Sequence, residues 1–279
     1  MSIDNYSQFK TPKKETSLTS SEEESREKAR ASVNAFLTLP ERIREGHNDK
    51  NLGKNLGNFL VDNNYIKEID LWCGSWGFKY EDKKILIAEN EMSDENYKYY
   101  IFRLGTNSSN GEYLFPNKGD EADQYRFLHE TSHAYQDYLI NKESRENNIS
   151  STNWHDKAAA EELDSNFSLL FKFCYENRKN NSGKGLSTWG NVPDYNSITN
   201  LNSQNAIRAI EDVNELATMY MWHPEYFETF LNYISLSLSG YKESDLDKDG
   251  LTKISRQAAA SLKILLEMYI EEMKVEINK

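Results

Sequence analysis

The feature that most constrains this chain is a pair of histidines four residues apart, His129 and His133, with Glu130 directly after the first. They lie in the run 127–136, whose residue pattern predicts a helix. On a helix of about 3.6 residues per turn, the two imidazoles project from one face and can bind the same metal ion. Glu130 can reach a water molecule on that ion, where a general base for hydrolysis is needed. The pattern H-E-x-x-H therefore predicts a catalytic zinc site.

The alternative is a surface helix whose two histidines are solvated. Apolar residues flank the motif and favour the first interpretation, in which this helix is central to a domain. These flanking residues are Leu128, Ala134, Tyr135, Tyr138 and Leu139.

The composition indicates a globular protein and limits its partners. The chain has 279 residues, of which 38% are hydrophobic and 12% aromatic, enough for a substantial core. The formal net charge of -12 argues against a nucleic-acid or anionic membrane partner, because phosphate binding needs a concentrated basic surface. We therefore expect neither nucleic acid nor membrane as partner. A peptide or protein substrate is expected from the H-E-x-x-H motif rather than from composition, and the chain is expected to be a monomer.

The N-terminal residues contain no basic segment followed by an apolar run, so no secretory signal is expected. Cytoplasm is the default location, and export by a non-classical route stays open. Cys73 and Cys174 stand among aromatic residues and are most simply buried thiols, although a disulfide between them is possible.

The order of patterns predicts a mainly helical α+β domain. Residues 1–19 are polar and predict a disordered lead-in, and residues 20–279 predict a single domain. Helices are expected within 21–61, including Leu52–Val61, followed by a small sheet of three or four strands within 69–116, the motif helix at 120–140 and a helical part at 155–279. The β-prone runs are Ile69–Cys73, Lys84–Ala88, Tyr99–Leu104 and Glu112–Phe115.

The part after the motif helix is predicted to be a polar linker, a series of helices and one long loop. The linker is Lys142–Thr152 and the loop, long enough to belong to an active site, is Asn180–Asn200. The predicted helices are Asp156–Asn177, Gln204–Trp222, Glu225–Leu238 and Lys253–Ile277.

Residues 245–250 resemble the first half of an EF-hand calcium loop, with Asp245, Asp247 and Asp249 at alternate positions and Gly250 sixth. The twelfth position, which needs a bidentate carboxylate, is Arg256. A solvated acidic turn before the last helix is therefore favoured over a calcium site.

A catalytic zinc site needs a third protein ligand. The metzincin extension of the motif is absent, because Gln136 and Leu139 stand where it requires Gly and His. Glu162 and Glu211, on later predicted helices, are the two candidates. Glu211 is favoured because Glu215, one turn later on the same face, can orient a ligand histidine through a hydrogen bond. Glu162 is followed one turn later by Asn166, a weaker orienting group.

Three segments together resemble the gluzincin branch of zinc peptidases that includes the toxin lethal factor and the Pro-Pro endopeptidases. They are Phe127–Tyr135, Glu211–Ala217 and Trp222–Phe227. The resemblance implies a zincin-like fold, zinc as cofactor, Glu211 as metal ligand from an E-x-x-A-E motif and Glu215 as the residue that orients a ligand histidine.

The chain departs from that branch in three respects. Asn214 replaces the Ala of the motif, and the gap between the two motifs is longer than usual. The branch also places a transition-state-stabilising Tyr seven residues before the ligand glutamate, where this chain has Gln204. Tyr195 in the preceding loop is the candidate to replace that Tyr.

Three hypotheses about function follow. The first is a zinc endopeptidase that hydrolyses peptide bonds with a metal-activated water and Glu130 as general base. The second is a small-substrate zinc hydrolase, such as an aminopeptidase or amidase. The third is a non-catalytic metal-binding interaction protein, against which the intact motif argues.

Overall fold

A computed structural model of the chain describes residues 20–39, 49–72, 76–88, 120–186, 201–236, 244, 246 and 251–279. These residues form a mainly helical structure with one small mixed sheet, which confirms the α+β expectation. None of the helices described there is long and apolar enough to cross a bilayer. The elements are α1 Ser20–Phe36, α2 Leu52–Asp62, β1 Glu68–Trp72, β2 Gly77–Lys79, β3 Lys84–Ala88, α3 Asp120–Glu146, α4 Trp154–Ala159, α5 Asn166–Asn180, α6 Leu201–Trp222, α7 Pro224–Ile234 and α8 Arg256–Ile277.

The sheet has the order β1-β3-β2, with β1 parallel and β2 antiparallel to β3. Phe78 of β2 lies opposite Ile85 of β3, and both side chains are buried. Strands at two of the predicted runs are confirmed, and β2 is an additional strand. The other two predicted runs, Tyr99–Leu104 and Glu112–Phe115, lie outside the described residues, as do Cys73, residues 1–19 and most of the acidic turn 245–250.

Helix α3 is the centre of the fold and contacts α1, α2, α6, β2 and β3. Every residue from 125 to 136 is buried, so the alternative of a surface helix with solvated histidines is wrong. Two buried hydroxyl groups in this run are satisfied within the helix. Thr131 Oγ1 donates to the carbonyl of Phe127 at 2.7 Å, and Ser132 Oγ donates to that of Leu128 at 3.1 Å.

Helix α3 is longer than the predicted 120–140 and includes the first five residues of the predicted linker. The reason is tertiary packing against α8. Tyr138 donates a hydrogen bond to Glu276 of α8, and Lys142 Nζ lies 3.0 Å from the same carboxylate. These contacts extend the helix through a polar sequence that has little helical pattern of its own.

The single helix predicted at Asp156–Asn177 is wrong, because the chain forms α4 and α5 with a break at 160–165. Glu161 adopts a left-handed backbone conformation with φ of 61°. Ser165 then caps the next helix, its side chain accepting a hydrogen bond from the backbone N–H of Ser168 at 3.0 Å. Glu162 lies in this break and is exposed.

Helices α5 and α6 are joined by a buried ion pair between Arg178 and Asp212. Arg178 Nε donates to Asp212 Oδ2 and Nη2 donates to Oδ1, both at 2.7 Å, and neither side chain is exposed to solvent. A further donor, Arg178 Nη1, binds the carbonyl of Gly183, whose φ is +85°. Cys174, also on α5, is a buried free thiol.

Helix α6 ends at Trp222, and α7 begins after a single residue, as the His-Pro pair predicts. His223 caps α7, with Nδ1 accepting a hydrogen bond from the backbone N–H of Glu225 at 3.2 Å. Helix α6 packs against α3. Gln136 Nε2 of α3 donates a hydrogen bond to the carbonyl of Ile210 of α6 at 3.3 Å.

Candidate metal centre

His129 and His133 of α3 meet Glu211 of α6, and one ligand atom from each lies within 4.8 Å of the others. Glu211 Oε2 is 3.6 Å from His129 Nε2 and 3.2 Å from His133 Nε2. The Nε2 atoms of both histidines therefore face the same carboxylate. Of the two glutamates considered as third ligand, Glu211 is at this point and Glu162 is not, because Glu162 pairs with Lys157 on the surface.

The Nδ1 atoms of the two histidines face different partners. His129 Nδ1 is 3.2 Å from Glu215 Oε2, and Tyr125 donates a hydrogen bond to the other oxygen of Glu215 at 2.9 Å. His133 Nδ1 is 3.0 Å from the hydroxyl of Tyr80. A histidine that binds a metal through Nε2 carries its proton on Nδ1, so a hydrogen-bond partner at Nδ1 sets both the tautomer and the ring orientation.

Glu215 occupies the position that its spacing from Glu211 predicts, whereas sequence reasoning missed Tyr80. Tyr80 follows β2, a strand of only three residues that the period-two pattern does not reveal. The only sequence signal is the aromatic alternation of Trp76, Phe78 and Tyr80 around that strand.

Glu130 is buried beside the cluster. Burial raises the pKa of its carboxyl group, and the charge of Glu211 raises this pKa further. The nearby His129 and His133 lower the pKa, but by less, so that it lies above its ordinary value. The backbone N–H of Phe78 donates a hydrogen bond to this carboxylate and so connects it to β2. A carboxylate with a raised pKa is a better proton acceptor than an ordinary one.

The remaining charges of the cluster favour a cation. Burial lowers the pKa of His129, but its contacts with Glu211 and Glu215 and the charge of Glu130 outweigh burial and raise the pKa. For Glu211, burial raises the pKa of the carboxyl group, but the neighbouring His133 and His129 hold the pKa well below its usual range. Three carboxylates around two imidazoles thus create a site that attracts positive charge.

Tyr195, the candidate to replace the transition-state-stabilising Tyr that the gluzincin branch has at the position of Gln204, lies outside the described residues. The same holds for residues 187–200 of the predicted long loop. The described end of that loop, 181–186, packs beside α5, where Gly185 forms a bridge to Leu251.

Comparison with protein-family models, curated proteins and solved structures found no match for this chain. The chemistry of the site therefore follows from its own donor atoms. Two imidazole nitrogens and one carboxylate oxygen are a donor set that suits zinc, and their outer hydrogen-bond partners are those that a bound metal requires.

Proposed function

We propose that this chain is a zinc-dependent endopeptidase in which His129, His133 and Glu211 hold the metal and Glu130 is the general base. The observation that carries the proposal is the convergence of the two Nε2 atoms on the Glu211 carboxylate. Three protein ligands leave one coordination position open, as in catalytic zinc sites and unlike closed structural ones. The proposal includes a zincin-like fold similar to that of the gluzincins.

Bound at this site, zinc would supply Lewis-acid chemistry, lowering the pKa of a water molecule and polarising a carbonyl group. Glu130 would accept the proton of the attacking water on a carboxylate oxygen and later donate it to the leaving nitrogen. The backbone of Phe78 on β2 lies beside that carboxylate. Burial of Glu130 excludes bulk water, which would otherwise compete for the same proton.

The sheet supports a peptide as substrate rather than a small molecule. Within the part of the chain that is described, β2 pairs with β3 on one side only and is an edge strand. It packs against α3 and contacts the site through Phe78 and Tyr80. An extended peptide can add to such an edge through backbone hydrogen bonds and so pass beside the cluster.

Metal content is the first test. We expect about one zinc per purified chain, lost when His129 and His133 are both replaced by Ala. Glu211→Gln should weaken zinc binding strongly, whereas the matched control Glu162→Gln, which changes an exposed glutamate of the α4–α5 break, should not. Stoichiometric zinc in the double alanine variant would refute the site.

Hydrolysis is the second test, with a mixed peptide library and mass spectrometry of the products. Glu130→Gln should retain zinc and lose on the order of a hundredfold or more in activity. Internal cleavage supports an endopeptidase, and release of single N-terminal residues would indicate the aminopeptidase alternative. Zinc binding with no hydrolysis of any peptide would favour a non-catalytic metal protein.

A further inference from the structure

We propose that Tyr80 is a positioning residue that holds His133 in the orientation for metal binding. The inference rests on the proposed zinc site and assigns a role to a residue outside the H-E-x-x-H pattern. It is based on two contacts that His133 makes through its two ring nitrogens. The Tyr80 hydroxyl is 3.0 Å from His133 Nδ1, and the opposite ring nitrogen, Nε2, is 3.2 Å from Glu211.

The chemistry of this contact fits the role. A tyrosine hydroxyl can accept the Nδ1–H of a neutral imidazole and still donate its own proton elsewhere. With the proton of His133 held on Nδ1 in this way, Nε2 keeps its lone pair toward Glu211 and the metal. Removing the hydroxyl allows the ring to rotate or to exchange its tautomer, and either change reduces the fraction of chains ready to bind the metal.

Tyr80 is itself fixed by the elements around it. Its ring makes an edge contact with Phe78, at 5.0 Å between centroids, and Phe78 is buried in the sheet. The turn that follows is attached to α3, because Lys83 forms an ion pair with Asp137, one helical turn after His133. The contact with Phe78 before Tyr80 and the Lys83–Asp137 pair after it therefore both hold the phenol near His133.

Tyr80 is also 45% exposed, unlike the partners of His129. The ring lies at the surface while its hydroxyl reaches a buried ligand. Because so much of this side chain is exposed, loss of its hydroxyl should cost little stability, and an effect on zinc binding can be separated from an effect on folding.

The test is the zinc affinity of Tyr80→Phe, measured by competition with a chromophoric chelator. We expect zinc to bind roughly tenfold or more weakly, with the melting temperature of the metal-free protein unchanged to within about 1 °C. Tyr65→Phe is the matched control. Tyr65 is a partly buried tyrosine near Arg145 and Lys83, away from the cluster, and its substitution should leave zinc affinity unchanged.

Cobalt substitution gives a second readout, because the visible absorption of Co²⁺ reports the geometry of its ligands. Tyr80→Phe should alter this spectrum and Tyr65→Phe should not. Unchanged zinc affinity and cobalt spectrum in Tyr80→Phe would overturn the positioning role while leaving the zinc site intact. A fall in affinity matched by a lower melting temperature of the metal-free protein would also overturn it, as a purely structural effect. Failure of the unmodified protein to bind zinc would overturn both proposals.

Discussion

The two sides of the candidate metal site differ in how they are built. The helical wall, defined as Glu211 and Glu215 of α6 together with the Arg178–Asp212 pair that joins α6 to α5, is almost entirely buried; Glu215 is 2% exposed. The sheet wall, defined as β2 with Tyr80, is a three-residue edge strand followed by a half-exposed tyrosine.

The difference shows that two neighbouring histidines can be oriented by different physical means. On the helical wall, two largely buried carboxylates face the nitrogens of His129 at 3.2 Å and 3.6 Å, and removing a buried charged partner costs much stability. On the sheet wall, a single phenol that is partly exposed to solvent faces His133 Nδ1. Substitutions in the two walls should therefore have unequal effects on folding.

The largest contrast is expected for ion pairs. Arg178→Met leaves the buried Asp212 carboxylate without its partner and should lower the free energy of unfolding by about 3–5 kcal/mol. Lys79→Met removes the exposed pair with Asp82 at the end of β2 and should have little effect on stability, because water screens that pair. Urea unfolding of both variants measures the difference. Equal, small losses would mean that the buried pair does not support the helical wall.

A second contrast concerns the partners of the histidines. Glu215→Ala leaves the Tyr125 hydroxyl and His129 Nδ1 without the carboxylate that they face and should destabilise the metal-free protein by about 2 kcal/mol or more. Tyr80→Phe should cost under about 0.5 kcal/mol, because the side chain is half-exposed. Thermal unfolding of the metal-free variants compares them, and an equal cost would remove the distinction between the two walls.

Two glycines, Gly185 beside the buried ion pair and Gly77 on β2, allow the packing of the two walls to be compared directly. A Cβ on Gly185 would lie 2.0 Å from Arg178 Nη2 and 2.7 Å from Asp212 Oδ1, so Gly185→Ala must displace the buried ion pair. We expect a loss of about 1–3 kcal/mol in urea unfolding. A Cβ on Gly77 of β2 would have no neighbouring atom within 4 Å. Gly77→Ala should therefore change stability by less than about 0.5 kcal/mol. A neutral Gly185→Ala would show that the pair can shift without cost.

The smallest effect concerns pH, at the contact of α8 with α3. Burial raises the pKa of Glu276, but Lys279, Tyr138 and Lys142 outweigh burial and lower the pKa from 4.5 to about 2. Because the folded-state pKa is below the unfolded value, the stabilisation is present above about pH 4.5 and is lost as the pH falls toward 2.

The measurement is urea unfolding at pH 5 and pH 3. The unmodified protein should lose more stability between these values than Glu276→Gln, by under about 1 kcal/mol because the contacts are partly solvated. Glu271→Gln, on the exposed side of the same helix, is the control and should behave as the unmodified protein. A Glu276→Gln variant with an unchanged pH dependence would contradict the assignment.

The sequence predicted local features of the site well, because they depend on helical spacing. His129 and His133 are four positions apart, as are Glu211 and Glu215, and this spacing determines which side chains share a face; the structure brings Glu211 and both histidines together. Helix α3 and the strands β1 and β3 were predictable for the same reason, since their apolar periodicity reflects burial.

Features that depend on distant contacts were not predictable. Nothing near Arg178 or Asp212 in the sequence indicates that they meet across 34 positions in a buried pair. The break that removes Glu162 from a helix depends on the left-handed Glu161, a residue with no particular preference for that conformation. Tyr80 reaches His133 only because β2 pairs with β3 and crosses α3, which local sequence does not encode.

Burial of the whole run 125–136 also affects how long the site persists. Backbone amides in a helix enclosed on every side exchange their hydrogens with solvent only when the domain unfolds as a unit. Because His129 and His133 lie within this buried run, the relative placement of their imidazoles lasts as long as the fold itself.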